Sequence, residues 1–272
     1  MPNLFHAILF SCCLHISHCK LEKVMAEGDA GGTMSVTLHG VTDTLSPENK
    51  KHAGALKAAA EAFHDAEEIF NDPTYANKTG WWEDKTNDDG DIVYAKDTPK
   101  GRIVTVSAEM SLDVDNVMSH TWKDVATLPQ WNPNINFASV IASPTDNFDV
   151  ITYGNNDVLV VSGREFVSGR IYRKTHDGYI LASRSYEIPG IPKMKGKVRA
   201  NLILAGARFR RHPEKADVTL TDVVMMVDLK GMLPKFLVNQ VMGKIMLMDT
   251  ENNRKHFGEL AKQKANGGAA KN

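Results

Sequence analysis

Cysteine is almost absent from this chain. There are three, Cys12, Cys13 and Cys19, all before residue 20. The rest of the sequence has none, so no disulfide framework can hold the fold, and the pattern points to an intracellular, cytoplasmic protein. An excess of either charge is missing too. With 32 basic and 33 acidic residues, no global field recruits nucleic acid or an anionic membrane surface. Long hydrophobic runs are also lacking. Residues 4–16 are moderately apolar, but they include His6 and His15 and fall short of the about 20 residues that span a bilayer. Residues 1–19 carry no Lys, Arg, Asp or Glu. They therefore lack the basic n-region of a secretory signal and the arginines of a mitochondrial presequence.

Motifs for chemistry are equally scarce. The sequence shows no Gly-rich phosphate loop, no Cys/His metal spacing and no nucleophile elbow. Its histidines are scattered. Arg208, Arg210, Arg211 and His212 form a basic cluster that reads either as a solvated loop or as a contact for acidic headgroups. Nothing calls for a cofactor or a metal, and the expectation is a protein that is not an enzyme.

What is present is a patterned apolar chain. The hydrophobic fraction of 42% is enough for a sizeable core. Residues 1–47 read as a poorly ordered extension and linker, because 26–47 are rich in Gly, Thr and Ser; Met25 offers an alternative start. Ser46-Pro47-Glu48 signals a helix start, and alanine-rich residues 53–70 place Leu56, Ala59, Phe63, Ala66 and Phe70 at helical spacing. Strand patterns follow at 81–85, 91–96 and 102–110. A helical pattern over 113–128 ends at Pro129. More strands follow at 135–141, 148–153, 164–174, 179–187, 199–209 and 218–227. A last helix spans about 234–261, and 263–272 form a low-complexity, disordered tail. One domain over 48–262 accounts for this order. It is α+β, an extended antiparallel sheet with one face covered by the C-terminal helix. That helix is apolar nearly all round in its first half, from Phe236 to Met248, and so must be covered on more than one side.

Four motifs stand in order along this frame: Trp81-Trp82-Glu83 with Asp89-Gly90-Asp91, Trp131-Asn132-Pro133-Asn134, Arg164-Glu165-Phe166-Val167-Ser168, and Asp228-Leu-Lys-Gly-Met-Leu-Pro234 followed by Val238-Asn239-Gln240-Val241. Together they resemble the StAR-related lipid-transfer (START) family, in its cholesterol-binding subgroup, over about 80–262. The resemblance implies a helix-grip fold, in which a curved antiparallel sheet wraps around a long C-terminal helix and encloses a hydrophobic tunnel. It implies a monomeric carrier that takes one lipid, a sterol in the nearest subgroup, from one membrane to another through transient contact. Nucleic acid plays no part, and the protein would sit in the cytoplasm or peripherally on organelle membranes. A different lipid, such as a phospholipid or carotenoid, is the first alternative; an enzyme or ligand sensor on the same scaffold is the second.

The resemblance also carries residues across. Arg170 falls where cholesterol-binding members place a buried arginine that orients the sterol hydroxyl. On a period-two strand it shares a face with Phe166, Ser168 and Tyr172. A buried guanidinium needs a partner, and the family's acidic position falls here on Tyr153 or Gly154, neither of them acidic. Asp222 is the substitute candidate, with an exposed edge charge as its alternative. Leu128, Asn132, Leu181, Leu202 and Met242 match cavity-lining positions, with plain core packing as the alternative for the apolar ones. Residues 187–197 match a mobile gate, in which Ile188, Pro189 and Ile191 would touch the bilayer.

Overall fold

The computed structural model describes residues 27–28 and 34–269. The cysteines and the question of an N-terminal signal lie outside these residues. The first described elements are strands β1 (Glu27–Gly28), β2 (Met34–Leu38) and β3 (Val41–Thr44), paired in that order. The Gly/Thr/Ser-rich composition had suggested a flexible lead-in, but 34–44 fold as a hairpin. The reason is apolar alternation: Val36, Leu38 and Leu45 are buried, and the guanidinium of Arg173 donates to the Leu38 carbonyl and to Asp43.

Helix α1 (Ala53–Asn71) comes next, then the short α2 (Pro73–Ala76). Strands β4 (Trp82–Thr86), β5 (Ile92–Thr98) and β6 (Gly101–Met110) form a meander. Helix α3 (Val114–Lys123) is capped by the Asp113 side chain, and Pro129 does not end it. Pro129 instead lies in the first turn of a separate short helix, α4 (Leu128–Trp131), where its missing N–H has no helical partner to lose. Strands β7 (Ile135–Ala142), β8 (Phe148–Asn155), β9 (Arg164–Lys174), β10 (Gly178–Ser185), β11 (Val198–Arg199), β12 (Asn201–Arg211) and β13 (Thr219–Asp228) follow, and α5 (Lys235–Ala269) closes the chain. Helix α5 continues past the expected boundary near 261, through Lys262, Gln263, Lys264 and Ala265, all good helix formers.

The main sheet has the order β4-β5-β6-β13-β12-β10-β9-β8-β7 and does not close; β11 pairs in parallel with β9, and the other pairs are antiparallel. Both faces are covered, not one. Helix α5 packs on the inner face, with Val241, Met242, Met246 and Leu247 against Val93, Ala95, Val104 and Val106. Helix α1 packs on the outer face, burying Ala55, Ala59, Ala62 and Ala66 completely. These small side chains let α1 lie close to β9: a Cβ at Gly169 would come within 2.5 Å of the Ala55 carbonyl oxygen. At the corner between β13 and α5, Gly231 takes φ 80°, a left-handed turn that favours glycine.

Candidate lipid-binding site

The inner face holds a cavity of about 270 Å³ between the sheet and α5. Five expected residues line it: Leu128, Asn132, Arg170, Leu181 and Leu202. Trp131, Ile135, Ile151, Tyr153, Ala205, Val223, Asp249 and Asn253 complete most of the wall. Leu181 also packs beside Phe209 and Phe257, so its core role and its cavity role coincide.

Arg170 is nearly saturated. Its partner is neither Tyr153, Gly154 nor Asp222 but Asp149, directly opposite it in the β8–β9 register. Nε donates to Asp149 Oδ1 at 2.8 Å and Nη2 to Oδ2 at 2.5 Å. Nη1 donates to the Thr121 carbonyl at 3.2 Å and Nη2 to the Trp122 carbonyl at 3.0 Å, both at the end of α3. The guanidinium also lies 4.5 Å from the centre of the Trp122 ring. Of five N–H donors, one on Nη1 remains for a ligand. Burial pushes the Asp149 carboxyl above its usual range, opposed by the hydrogen bonds and charge of Arg170. The signal for Asp149 was present in the sequence: it is the one acid inside the apolar strand Phe148–Asn155.

Asp222 lies on the other face of the sheet. It accepts from Ser107 Oγ at 2.7 Å, from Arg208 Nε and Nη2 at 3.1 and 2.9 Å, and from Arg210 Nη2 at 2.9 Å. Burial raises its carboxyl pKa, but the Ser107 hydrogen bond and the two arginines outweigh this and hold it below the usual range. The Arg170–Asp222 pair considered for an enzyme on this scaffold is therefore not formed; the buried acid beside Arg170 is Asp149. Arg208 and Arg210 thus both direct donors to Asp222.

The remaining expected residues sit near the cavity without lining it. Phe166 stacks on Tyr153 with ring centres 4.9 Å apart. Ser168 Oγ is 3.4 Å from Ser185 Oγ. Met242 borders a separate groove at the start of α5, with Leu229, Leu233 and Val238.

Asp249, which sequence reasoning missed, joins the Trp131–Asn134 motif to α5. Asn132 Nδ2 donates to Asp249 Oδ1 at 3.0 Å, and Asn134 Nδ2 donates to the same oxygen at 2.9 Å. The Asn252 side chain returns a bond to Asn132 Oδ1 at 3.2 Å, and the Trp131 ring stacks on His256 at 4.1 Å. Burial pushes the Asp249 carboxyl up, against the two asparagine donors. The Tyr153 phenol is also pushed up, by burial and then by the charge of Asp249. An acid ending the apolar run Ile245–Met248 was the available clue.

In the expected gate loop the isoleucines turn inward. Ile188 is 5% exposed and belongs with partly buried Ile191 to the core beneath α1. Glu165 accepts from the Met194 N–H at 3.0 Å and from Arg199 Nε at 3.1 Å just beyond the loop. Residues 156–163 between β8 and β9 reach α5. Val158 and Val161 are buried with Val241 and Met246, while Leu159 and Val160 are 53% and 84% exposed. Arg164 binds this loop to the corner before α5, donating to Ser162 Oγ at 3.1 Å, the Leu229 carbonyl at 3.0 Å and the Lys230 carbonyl at 3.2 Å. Met232 and Phe236 beyond that corner are 102% and 65% exposed. Among the described residues no helix is long and apolar enough to cross a membrane.

Comparison with known proteins places this geometry in context. The family profile described as START domain matches residues 61–263. The sequence is 59% identical over 233 residues to Steroidogenic acute regulatory-like protein 1 of Caenorhabditis elegans, covering 85% of this chain and 90% of that protein. It is 26% identical over 194 residues to the human mitochondrial Steroidogenic acute regulatory protein, covering 67% of this chain and 65% of that one. Among solved structures, human StAR-related lipid transfer protein 5 matches with a TM-score of 0.68 at 18% identity, over 77% of this chain and 99% of that chain. At that identity the likeness shows the fold alone.

Proposed function

The chain belongs to the START family of lipid-binding and transfer domains, and from that premise we propose that it carries cholesterol or another sterol between membranes without altering it chemically. The observation that carries this reading is Arg170, paired with Asp149 behind it, lining a cavity whose wall is otherwise mostly apolar. One remaining N–H can meet a sterol hydroxyl, and apolar contact supplies the rest. Burying roughly 500 Å² at about 25 cal/mol per Å² offers on the order of 12 kcal/mol before the cost of association. The cavity volume of about 270 Å³ lies just under the roughly 300–1,000 Å³ of small-molecule pockets, so loading requires the wall to give.

Entry would proceed between residues 156–163 and α5. The exposed Leu159, Val160, Met232 and Phe236 would enter the bilayer, with Lys230 and Lys235 beside them. The protein would act as a monomer in the cytoplasm and touch membranes transiently. A different lipid is the second reading, favoured by Asn253, which with Asp249 gives the α5 side of the cavity more than one polar group. The test is sterol transfer between vesicles by a variant with a disulfide joining loop 156–163 to α5. Transfer should stop when the bond is oxidised and return on reduction; undiminished transfer by the oxidised protein would sink this entry route.

A further inference from the structure

Along α5, residues 242, 246, 249, 253 and 257 recur at helical spacing and form its inward stripe. Met242, Met246 and Phe257 are buried apolar side chains. Asp249 and Asn253 interrupt them, and both line the cavity. A carboxylate in such a stripe is costly unless it is paired, yet Asp249 forms no ion pair among the described residues. Its Oδ1 takes both asparagine donors. Among the described residues no protein donor reaches Oδ2. The bracket to Asn132 and Asn134 needs only one oxygen, which an asparagine would supply equally well. The second oxygen is not explained by that role.

The wall around it carries another polar atom without a protein partner. Ser183 is 8% exposed, its Oγ meets no hydrogen-bonding group among the described residues, and it lines the same cavity. Ser183 is also the cross-strand neighbour of Arg170.

We infer that Asp249 contacts the ligand directly, its Oδ2 accepting a hydrogen bond from a hydroxyl of the bound lipid. The inference rests on the lipid-carrier reading and adds a selection rule to it. Arg170 offers only N–H donors, so alone it does not separate an alcohol from a ketone or an ether. Asp249 does. A hydroxyl can donate to it, whereas a ketone or ether leaves its Oδ2 desolvated and without a donor.

The experiment uses the delipidated full chain and two matched pairs of ligands: cholesterol against cholest-4-en-3-one, and 1,2-dioleoylglycerol against its 3-O-methyl ether. The wild-type protein should bind the hydroxyl member of a pair at least about tenfold more tightly. Asp249→Asn keeps a carbonyl oxygen for Asn132 and Asn134 but turns an N–H toward the ligand; the preference should vanish or reverse while the thermal melt is retained. Equal wild-type affinities within each pair would overturn the inference whether or not the variant folds, and so would a preference that survives in Asp249→Asn. A preference seen only with the glycerolipids, with neither sterol bound, would support the role of Asp249 and end the sterol reading. Binding of no member of either pair would end both.

Discussion

The two faces of the sheet use the same chemistry to different ends. On the outer face Asp222 is surrounded by Ser107, Arg208 and Arg210, and Arg208 also donates to the Phe70 carbonyl of α1 at 3.0 Å. On the inner face Asp149 meets Arg170, which is anchored to the end of α3, lines the cavity and has one N–H without a protein acceptor among the described residues. The outer network ties α1 to the sheet. The inner one is also closed on the protein side, but it borders a space. An aspartate–arginine pair in a strand therefore says little about function until the opposite surface is known: helix in one case, cavity in the other.

The contrast can be broken from the inside first. Arg170→Leu leaves Asp149 buried without a cation, which should cost about 3–5 kcal/mol at neutral pH and abolish sterol binding. The Asp149 pKa is already raised by burial, and losing Arg170 raises it further. Protonating Asp149 then favours the folded state over the unfolded one. Its contribution is fully present below the unfolded value of about 3.9 and is lost as pH rises through the folded one. Urea melts should show the variant closer to wild type at acid pH than at pH 7, and Asp149→Asn added to it should recover stability but not binding.

On the outer face, Asp222→Ala should cost about 2–3 kcal/mol, less than a fully buried pair because Arg208 and Arg210 keep partial access to water. Ligand affinity should hardly change. The folded pKa of Asp222 is depressed, so its contribution is present above the unfolded value and is lost as pH falls through the folded one. The stability gap between wild type and variant should therefore close on acidification.

Much of the fold was legible because it rests on periodicity. Alanine spacing located α1, and strand alternation located most of the sheet. The site was legible in its motifs but not in its pairings. Asn132 could be marked as a cavity residue, but its bond to Asp249 depends on how α5 crosses the sheet. Asp149 was hidden because aligning the family's acid leads to Tyr153 or Gly154, whereas strand register brings Asp149 opposite Arg170. Pro189, Gly190 and Pro192 give residues 187–197 the composition of a gate, but a loop's composition does not reveal that Ile188 is anchored beneath α1. The apolar run 158–161 held the better clue, since two of its valines are buried and the residues between them are not.

Two smaller perturbations sharpen the contrast. Gly169→Ala places a Cβ against the Ala55 backbone, and α1 must shift; the expected loss is about 1–3 kcal/mol, read by thermal melting, with the inner cavity still able to bind. Val160→Glu alters an exposed loop tip and should change stability by no more than about 0.5 kcal/mol, yet slow vesicle-to-vesicle transfer several-fold.

The most direct measurement is mass spectrometry of the lipid that co-purifies with the full chain, compared with that from Arg170→Leu refolded with Asp149→Asn. One hydroxyl-bearing, sterol-sized molecule per wild-type chain, absent from the double variant, is the expected result. A stoichiometric phospholipid, or the same sterol retained by the double variant, would contradict a site centred on Arg170 and Asp149.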